Sequence, residues 1–202
     1  MSQELTKELV QKLLGIKGEV RGVVFRTDRE YVLRKKGEEY LEKVEKELEK
    51  LGYPIKYEEI KSMNFYPIGL RILSLLVIKE VLNLNDDAIK EMGLVATKSS
   101  LIIKILAKFF FSLQRVFATE APKIWKKHYT IGEIEPVELN EEKKYAILRL
   151  KDFKVHKIMC TYLEGYFCGI GQLIIKTSKI ESKETKCPFL GDEYHEFLLT
   201  WE

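Results

Sequence analysis

The residues of this chain best suited to hold a metal ion gather near its C-terminus. Cys160, Cys168, Cys187, His156 and His195 all lie beyond residue 155, with Glu184 among them. Zinc takes thiolate, imidazole or carboxylate donors in a tetrahedron. Glu184 and Cys187 stand at the end of one predicted strand, and His195 opens the next, so a hairpin turn brings them together. Cys160 sits early in a predicted helix, and one contact between that helix and the hairpin completes the set Cys160, Glu184, Cys187 and His195. Four protein ligands make a closed site of the structural kind, with no open position for catalysis. Two thiolates and a carboxylate around a divalent ion leave a single net negative charge. The competing reading is packing: cysteines are often buried as small apolar groups, and a histidine on a strand is usually a satisfied core residue.

The other candidates rank below this set. Cys168 is off the helical face of Cys160 by about 80°, at ~100° per residue, and reads as core. His156, four residues before Cys160, is the substitute imidazole. His128, in Lys126-Lys127-His128-Tyr129, reads as a solvated helix end. No glycine-rich phosphate loop is present, and no serine has an evident histidine and acid partner, so the chain reads as non-enzymatic.

The 202 residues fit one domain, residues 1–202, with a helical part (1–130) and a sheet part (131–202). Hydrophobic residues make up 46% and charged ones 32%, which excludes a disordered chain. The net charge of +3, with acids and bases interleaved, argues against nucleic acid as a partner held by bulk electrostatics. Scarce Asn and Gln beside abundant Lys and Glu is a thermophile's bias. The start, Met1-Ser2-Gln3-Glu4, is polar where a signal peptide is basic and then apolar. Residues 68–84 are the greasiest stretch, but Arg71, Lys79 and Glu80 interrupt them, so no membrane span is expected. An odd number of cysteines speaks against a disulfide framework, and a cytoplasmic protein is expected.

Period changes along the chain give the elements that must position the candidate ligands. Leu5, Leu9 and Leu13 mark a short amphipathic helix. Val23-Val24-Phe25 reads as a short strand or extended connection. Leu41, Val44, Leu48 and Leu51 stripe a surface helix that Gly52 and Pro54 end. Tyr66-Pro67 opens an apolar helix over 68–82. Asn85 or Asp86 caps a short helix ending near Gly93, and Ser99 or Ser100 caps a longer one running to Phe117 with Phe109-Phe110-Phe111 inside it. Pro122 starts a last short helix carrying Trp125. Residues 133–139 and 144–151 alternate as a hairpin. Residues 156–175 return to helical spacing, where Gly165, Gly169 and Gly171 make sense only against another backbone. Residues 178–186 and 194–201 form a second hairpin, with His195, Phe197, Leu199 and Trp201 on one face. The expected fold is α+β: N-terminal helices packed on a C-terminal antiparallel sheet of two hairpins with an intervening helix.

The run Cys160-x4-Gly165-Tyr166-x2-Gly169, then Glu184-x2-Cys187-x3-Gly191, then His195, resembles the 4-vinyl reductase-type ligand-binding domain. That domain belongs to a superfamily with the haem-nitric-oxide-binding domain and the Golgi transport-particle subunits. Gly22, Tyr66-Pro67, Ala121-Pro122 and Trp125 resemble the wider superfamily loosely. The resemblance implies a structural zinc at the four residues above, with His195 where relatives carry cysteine. It also implies a sensor or carrier for a small hydrophobic ligand, a homodimer through N-terminal helices, and a signalling partner protein. A transport-particle-type interaction scaffold is the alternative, and an enzyme is the weaker one. The Tyr-x-Ser-x-Arg propionate signature of the haem-binding relatives is absent, so haem is set aside as a cofactor.

Overall fold

The computed structural model of the chain describes residues 5–99 and 113–202. Its elements run α1 (Lys7–Leu14), β1 (Glu19–Arg21), α2 (Val23–Lys36), α3 (Glu38–Lys50), β2 (Phe65–Pro67), α4 (Ile68–Val81) and α5 (Asp86–Ser99). Then α6 (Leu113–Arg115) passes through a π-helical turn (Val116–Glu120) into α7 (Ala121–His128). The chain continues through β3 (Glu133–Asn140), β4 (Tyr145–Lys151), α8 (Ile158–Ile175), β5 (Ile180–Lys186) and β6 (His195–Trp201). The expected longer helix after Ser99, with its phenylalanine run, lies mostly outside the described residues.

The fold is the α+β arrangement expected. The two hairpins join through β4 and β6 into one antiparallel sheet of order β3-β4-β6-β5, and α8 packs against β5 and β6. Leu148, Leu150, Phe197, Leu199 and Trp201 line its buried face, as alternation dictates.

The helical part meets the sheet through α7, which packs on β3, and through α8, which α5 meets at glycines. Gly93 on α5 lies against the Tyr162 carbonyl, and a Cβ there would overlap it. A Cβ on Gly165 of α8 would overlap the Lys90 carbonyl of α5, and one on Gly169 would collide with Thr97 and the Leu94 carbonyl. The two backbones therefore touch directly. Gly93 is thus no helix stop: α5 runs six residues past it to Ser99, and its glycine serves the crossing. Gly171 differs, since its Cβ would meet the Ile180 side chain and not a backbone.

Other local expectations change for identifiable reasons. Val23-Val24-Phe25 opens α2 and is no strand; Phe25, Asp28, Tyr31 and Val32 share its buried face at helical spacing. The strand there is Glu19–Arg21, paired with β2, so Tyr66-Pro67 belongs to a small sheet and Pro67 only caps α4. The Asn85 carboxamide accepts from the Ala88 N–H at 2.9 Å, as a cap should. The leucine stripe of α1 is covered by α4 of the same chain: Leu13 is buried, Leu5 and Leu9 pack on the core, and Gly69 admits the Leu13 carbonyl. Leu5 and Leu9 stay part-exposed. By length and composition α8 is apolar enough to cross a membrane, yet it is here the buried centre of the fold.

Replacing Gly165 by alanine is expected to push α5 and α8 apart and to cost about 1–3 kcal/mol or more, the range for overpacking. Gly15→Ala, whose Cβ would meet nothing closer than 3.5 Å, is expected to leave stability unchanged or raise it. Thermal unfolding of both variants checks this, and equal melting temperatures would refute the backbone contact.

Candidate metal centre and internal cavity

Cys160 lies in the first turn of α8, facing the end of the β5–β6 hairpin. Glu184 and Cys187 are three residues apart, and in a regular strand they would point to opposite faces. A bulge corrects this. Glu184 pairs with Phe197 and Lys186 with Glu196, so β5 holds one extra residue, Thr185, at that point. The following turn is pinned on Cys187: its N–H donates to the Asp192 carboxylate at 2.7 Å, and its carbonyl accepts from Leu190 and Asp192. Gly191, at φ 108°, supplies the left-handed residue the turn requires. His195 then opens β6 opposite Leu150.

The structure brings all four predicted ligands together. One donor atom from each of Cys160, Glu184, Cys187 and His195 lies within 4.8 Å of the others. The two sulfurs are 3.7 Å apart, the edge length of a tetrahedron with about 2.3 Å metal–sulfur bonds. Cys160 Sγ is 3.9 Å from His195 Nδ1, and Nδ1 is 2.6 Å from Glu184 Oε1. The ring is oriented from behind, because Nε2 lies 3.2 Å from the Phe153 carbonyl, which can only accept. Nε2 thus carries a proton, and Nδ1 faces the Glu184 carboxylate, which also only accepts, so a proton or a bound cation must lie between the two. His195 is 1% exposed, so these donors sit away from water. Burial is the largest cause that raises the Cys160 thiol, with Glu184 and Cys187 adding to it. Burial raises the Cys187 thiol too. Without a cation both sulfurs hold their protons.

The neighbouring candidates stay outside the set. Cys168 sits in the core with its thiol on the Ile180 carbonyl at 3.2 Å. His156 Nδ1 accepts from the Ile158 N–H at the start of α8.

A second polar region, unmarked by sequence reasoning, lies inside the helical part. Val23, Val24, Thr27, Ala96, His128, Tyr129, Tyr162 and Tyr166 line a cavity of about 30 Å³ between α2, α5, α7 and α8. His128 is buried and not solvated, which corrects its reading as a surface residue. Its Nδ1 donates to the Ile124 carbonyl at 2.9 Å, leaving Nε2 with the lone pair, and burial lowers its pKa, so the ring is neutral at pH 7. Burial pushes the Tyr162 phenol up to about 12, so it stays a hydrogen-bond donor. Beside the cavity, Arg71 of α4 and Asp28 of α2 form a fully buried ion pair, and the guanidinium lies 5.1 Å from the centre of the Tyr162 ring. The one signal for it in the sequence was a charge inside the greasiest stretch.

The two regions are bridged by aromatic rings. Trp125 stacks on Tyr129 at 4.2 Å, and Phe153 meets both edge-on while its carbonyl holds His195.

No family model matches the chain, and no curated protein matches it. Solved structures do. An H-NOX protein from S. oneidensis in the Fe(II)NO ligation state superposes with a TM-score of 0.68 at 16% identity, over 90% of this chain and 99% of that one. An Fe(II) unliganded H-NOX mutant from K. algicida gives 0.62 at 13% identity, over 90% and 96%. The H-NOX from Shewanella woodyi, bound to IWP-051 in the Fe(II)CO state, gives 0.63 at 15%, over 90% and 94%. Another matching structure is described by its haem redox potential and porphyrin distortion. Iron and haem, not zinc, are what these neighbours carry. The expected cofactor assignment, structural zinc with haem set aside because Tyr-x-Ser-x-Arg is absent, is overturned by them: haem is at home in this architecture. The 4-vinyl reductase-type resemblance gains no family match, while its haem-nitric-oxide-binding branch is the one whose fold returns. The chain has the H-NOX fold.

Proposed function

We propose that residues 1–202 form one non-enzymatic, small-molecule-binding sensor domain whose ligand enters the cavity beside His128. The observation that carries this is the cavity itself, walled by three tyrosines and one neutral imidazole inside the H-NOX fold. Tyrosine donors, the His128 lone pair and the apolar Val23, Val24 and Ala96 suit a small, mostly apolar guest with a polar head. Haem is the occupant of the fold neighbours. Here the donor chemistry fits an iron ligand, since the neutral His128 ring keeps a lone pair on Nε2, and the described residues leave about 30 Å³ beside it. The small volume among the described residues favours a second reading, an interaction scaffold whose cavity is vestigial, in which recognition belongs to the surface and a partner protein.

Titration with haemin, phenols and fatty acids separates the two. The sensor reading expects at least one of them to raise the melting temperature, and Ala96→Phe, which fills the cavity, to abolish the shift. His128→Ala reports whether an imidazole is the ligand, through the Soret band of any haem complex. No stabilisation by any of these probes would overturn the sensor and leave the scaffold.

We also propose that Cys160, Glu184, Cys187 and His195 hold a divalent transition-metal ion that clips the β5–β6 hairpin to α8. Two thiolates and an imidazole suit late first-row ions. The physical need is attachment: β5 brings one large apolar residue, Ile180, to the helix. A metal bound only by the folded chain adds its binding free energy to stability. Because both thiols must lose protons, loading is expected to tighten as pH rises.

Cobalt(II), whose sulfur-to-metal bands report thiolate ligation, is the probe. One equivalent is expected in the wild type and after Cys168→Ala or His156→Ala. Cys187→Ala and His195→Ala are expected to lose it, together with the metal-dependent rise in melting temperature. Well under one equivalent in the wild type would end the metal reading, and loss in His156→Ala would show a different imidazole at work.

A further inference from the structure

Among the described residues β5 is an edge strand, and its outward backbone groups face no further strand. Two of them are satisfied by side chains instead. The Glu184 N–H donates to Glu164 Oε1 at 2.7 Å, and the Ser182 carbonyl accepts from Lys90 Nζ at 3.0 Å. Lys90 and Glu164 are themselves paired at 2.9 Å. One donor and one acceptor, presented at alternate residues, reproduce what a neighbouring strand would offer. The pair sits where α5 and α8 cross, with Lys90 on the first helix and Glu164 on the second. Glu164 lies one helical turn from Cys160, and the residue it holds is Glu184, just before the bulge. Both therefore serve the four-residue cluster: α8 presents one ligand directly and a second through Glu164.

We propose that Glu164 and Lys90 are positioning residues of the metal centre, and that their grip on the edge of β5 sets how tightly the Glu184 carboxylate is held against the ion. This rests on the metal reading given above. The hydrogen bond from Glu184 is charge-assisted, and the Lys90 ammonium offsets the negative charge that Glu164 would otherwise bring beside an anionic cluster. Groups that orient metal ligands typically matter by about 10–100-fold in affinity.

The experiment measures cobalt(II) affinity and its d–d spectrum in the full chain for wild type, Glu164→Ala, Glu184→Ala and the double variant. Glu164→Ala is expected to weaken binding about 10–100-fold and to move the spectrum toward that of Glu184→Ala. The double variant is expected to bind no more weakly than Glu184→Ala alone, because both changes remove one ligand. Glu164→Gln, which keeps an acceptor oxygen, is expected to recover the wild-type spectrum. Additive losses, or a weaker affinity with an unchanged spectrum, would mean general destabilisation and overturn the proposal. Wild-type affinity in Glu164→Ala would overturn it too, while the metal reading would stand. No cobalt uptake by the wild type would remove the metal reading itself. If Glu164→Ala does not fold, Lys90→Met in the same cycle decides the matter.

Discussion

The contact between α5 and α8 is the constraint on which the rest of the molecule depends. Gly93, Gly165 and Gly169 let two helical backbones touch, so the pair behaves as one rigid piece with a wall on each side. One wall is the cavity, built from Ala96, Tyr162 and Tyr166. The other is the floor on which β5 and β6 rest. A glycine-lined crossing forgoes side-chain burial at its closest points, and the backbone entropy of each glycine, about 1 kcal/mol against alanine, opposes it. What it secures is a short interaxial distance that no larger residue permits.

Polar groups are concentrated where that rigid piece meets something less well packed. Strand β5 brings little apolar surface to α8, and it is met by the Lys90–Glu164 pair and by the thiols, carboxylate and imidazole of the cluster. On the opposite side, the Asp28–Arg71 pair joins α2 to α4 under the Tyr162 ring. A buried ion pair is seldom a net source of stability, because desolvating both charges offsets their attraction. Here it lies against Tyr162, one of the side chains that wall the cavity.

Period and punctuation made much of the fold legible in the sequence. Both hairpins, α3, α7 and α8 follow from alternation, helical spacing and the Gly and Pro stops. The four clustered ligands were also within reach, because a hairpin turn forces Cys187 and His195 together whatever the rest of the chain does. What stayed hidden depends on distant partners. Val23-Val24-Phe25 has strand-like composition, and only the packing of Asp28 and Tyr31 against other helices makes it helical. Gly93 reads as a stop until the Tyr162 carbonyl opposite it is known. His128 looks solvated among lysines, although its ring turns inward to the Ile124 carbonyl. The bulge at Thr185 was invisible as well, since nothing in Lys183-Glu184-Thr185-Lys186 marks an extra residue.

The 18 residues of α8 form a rod about 27 Å long at ~1.5 Å per residue. Cys160 is near one end, and Tyr162 and Tyr166 stand one and two turns along it. A rod held at one end where Cys160 meets the β5–β6 hairpin, and leaning on α5 along its length, has a fulcrum. A guest that displaced the tyrosines would exert a torque about that crossing, and the end bearing Cys160 would have to resist or follow. The helix that lines the cavity is therefore also a mechanical link to the far sheet, and the stiffness of the contacts among Cys160, Glu184, Cys187 and His195 would decide whether strain stays inside the helices or reaches β5 and β6.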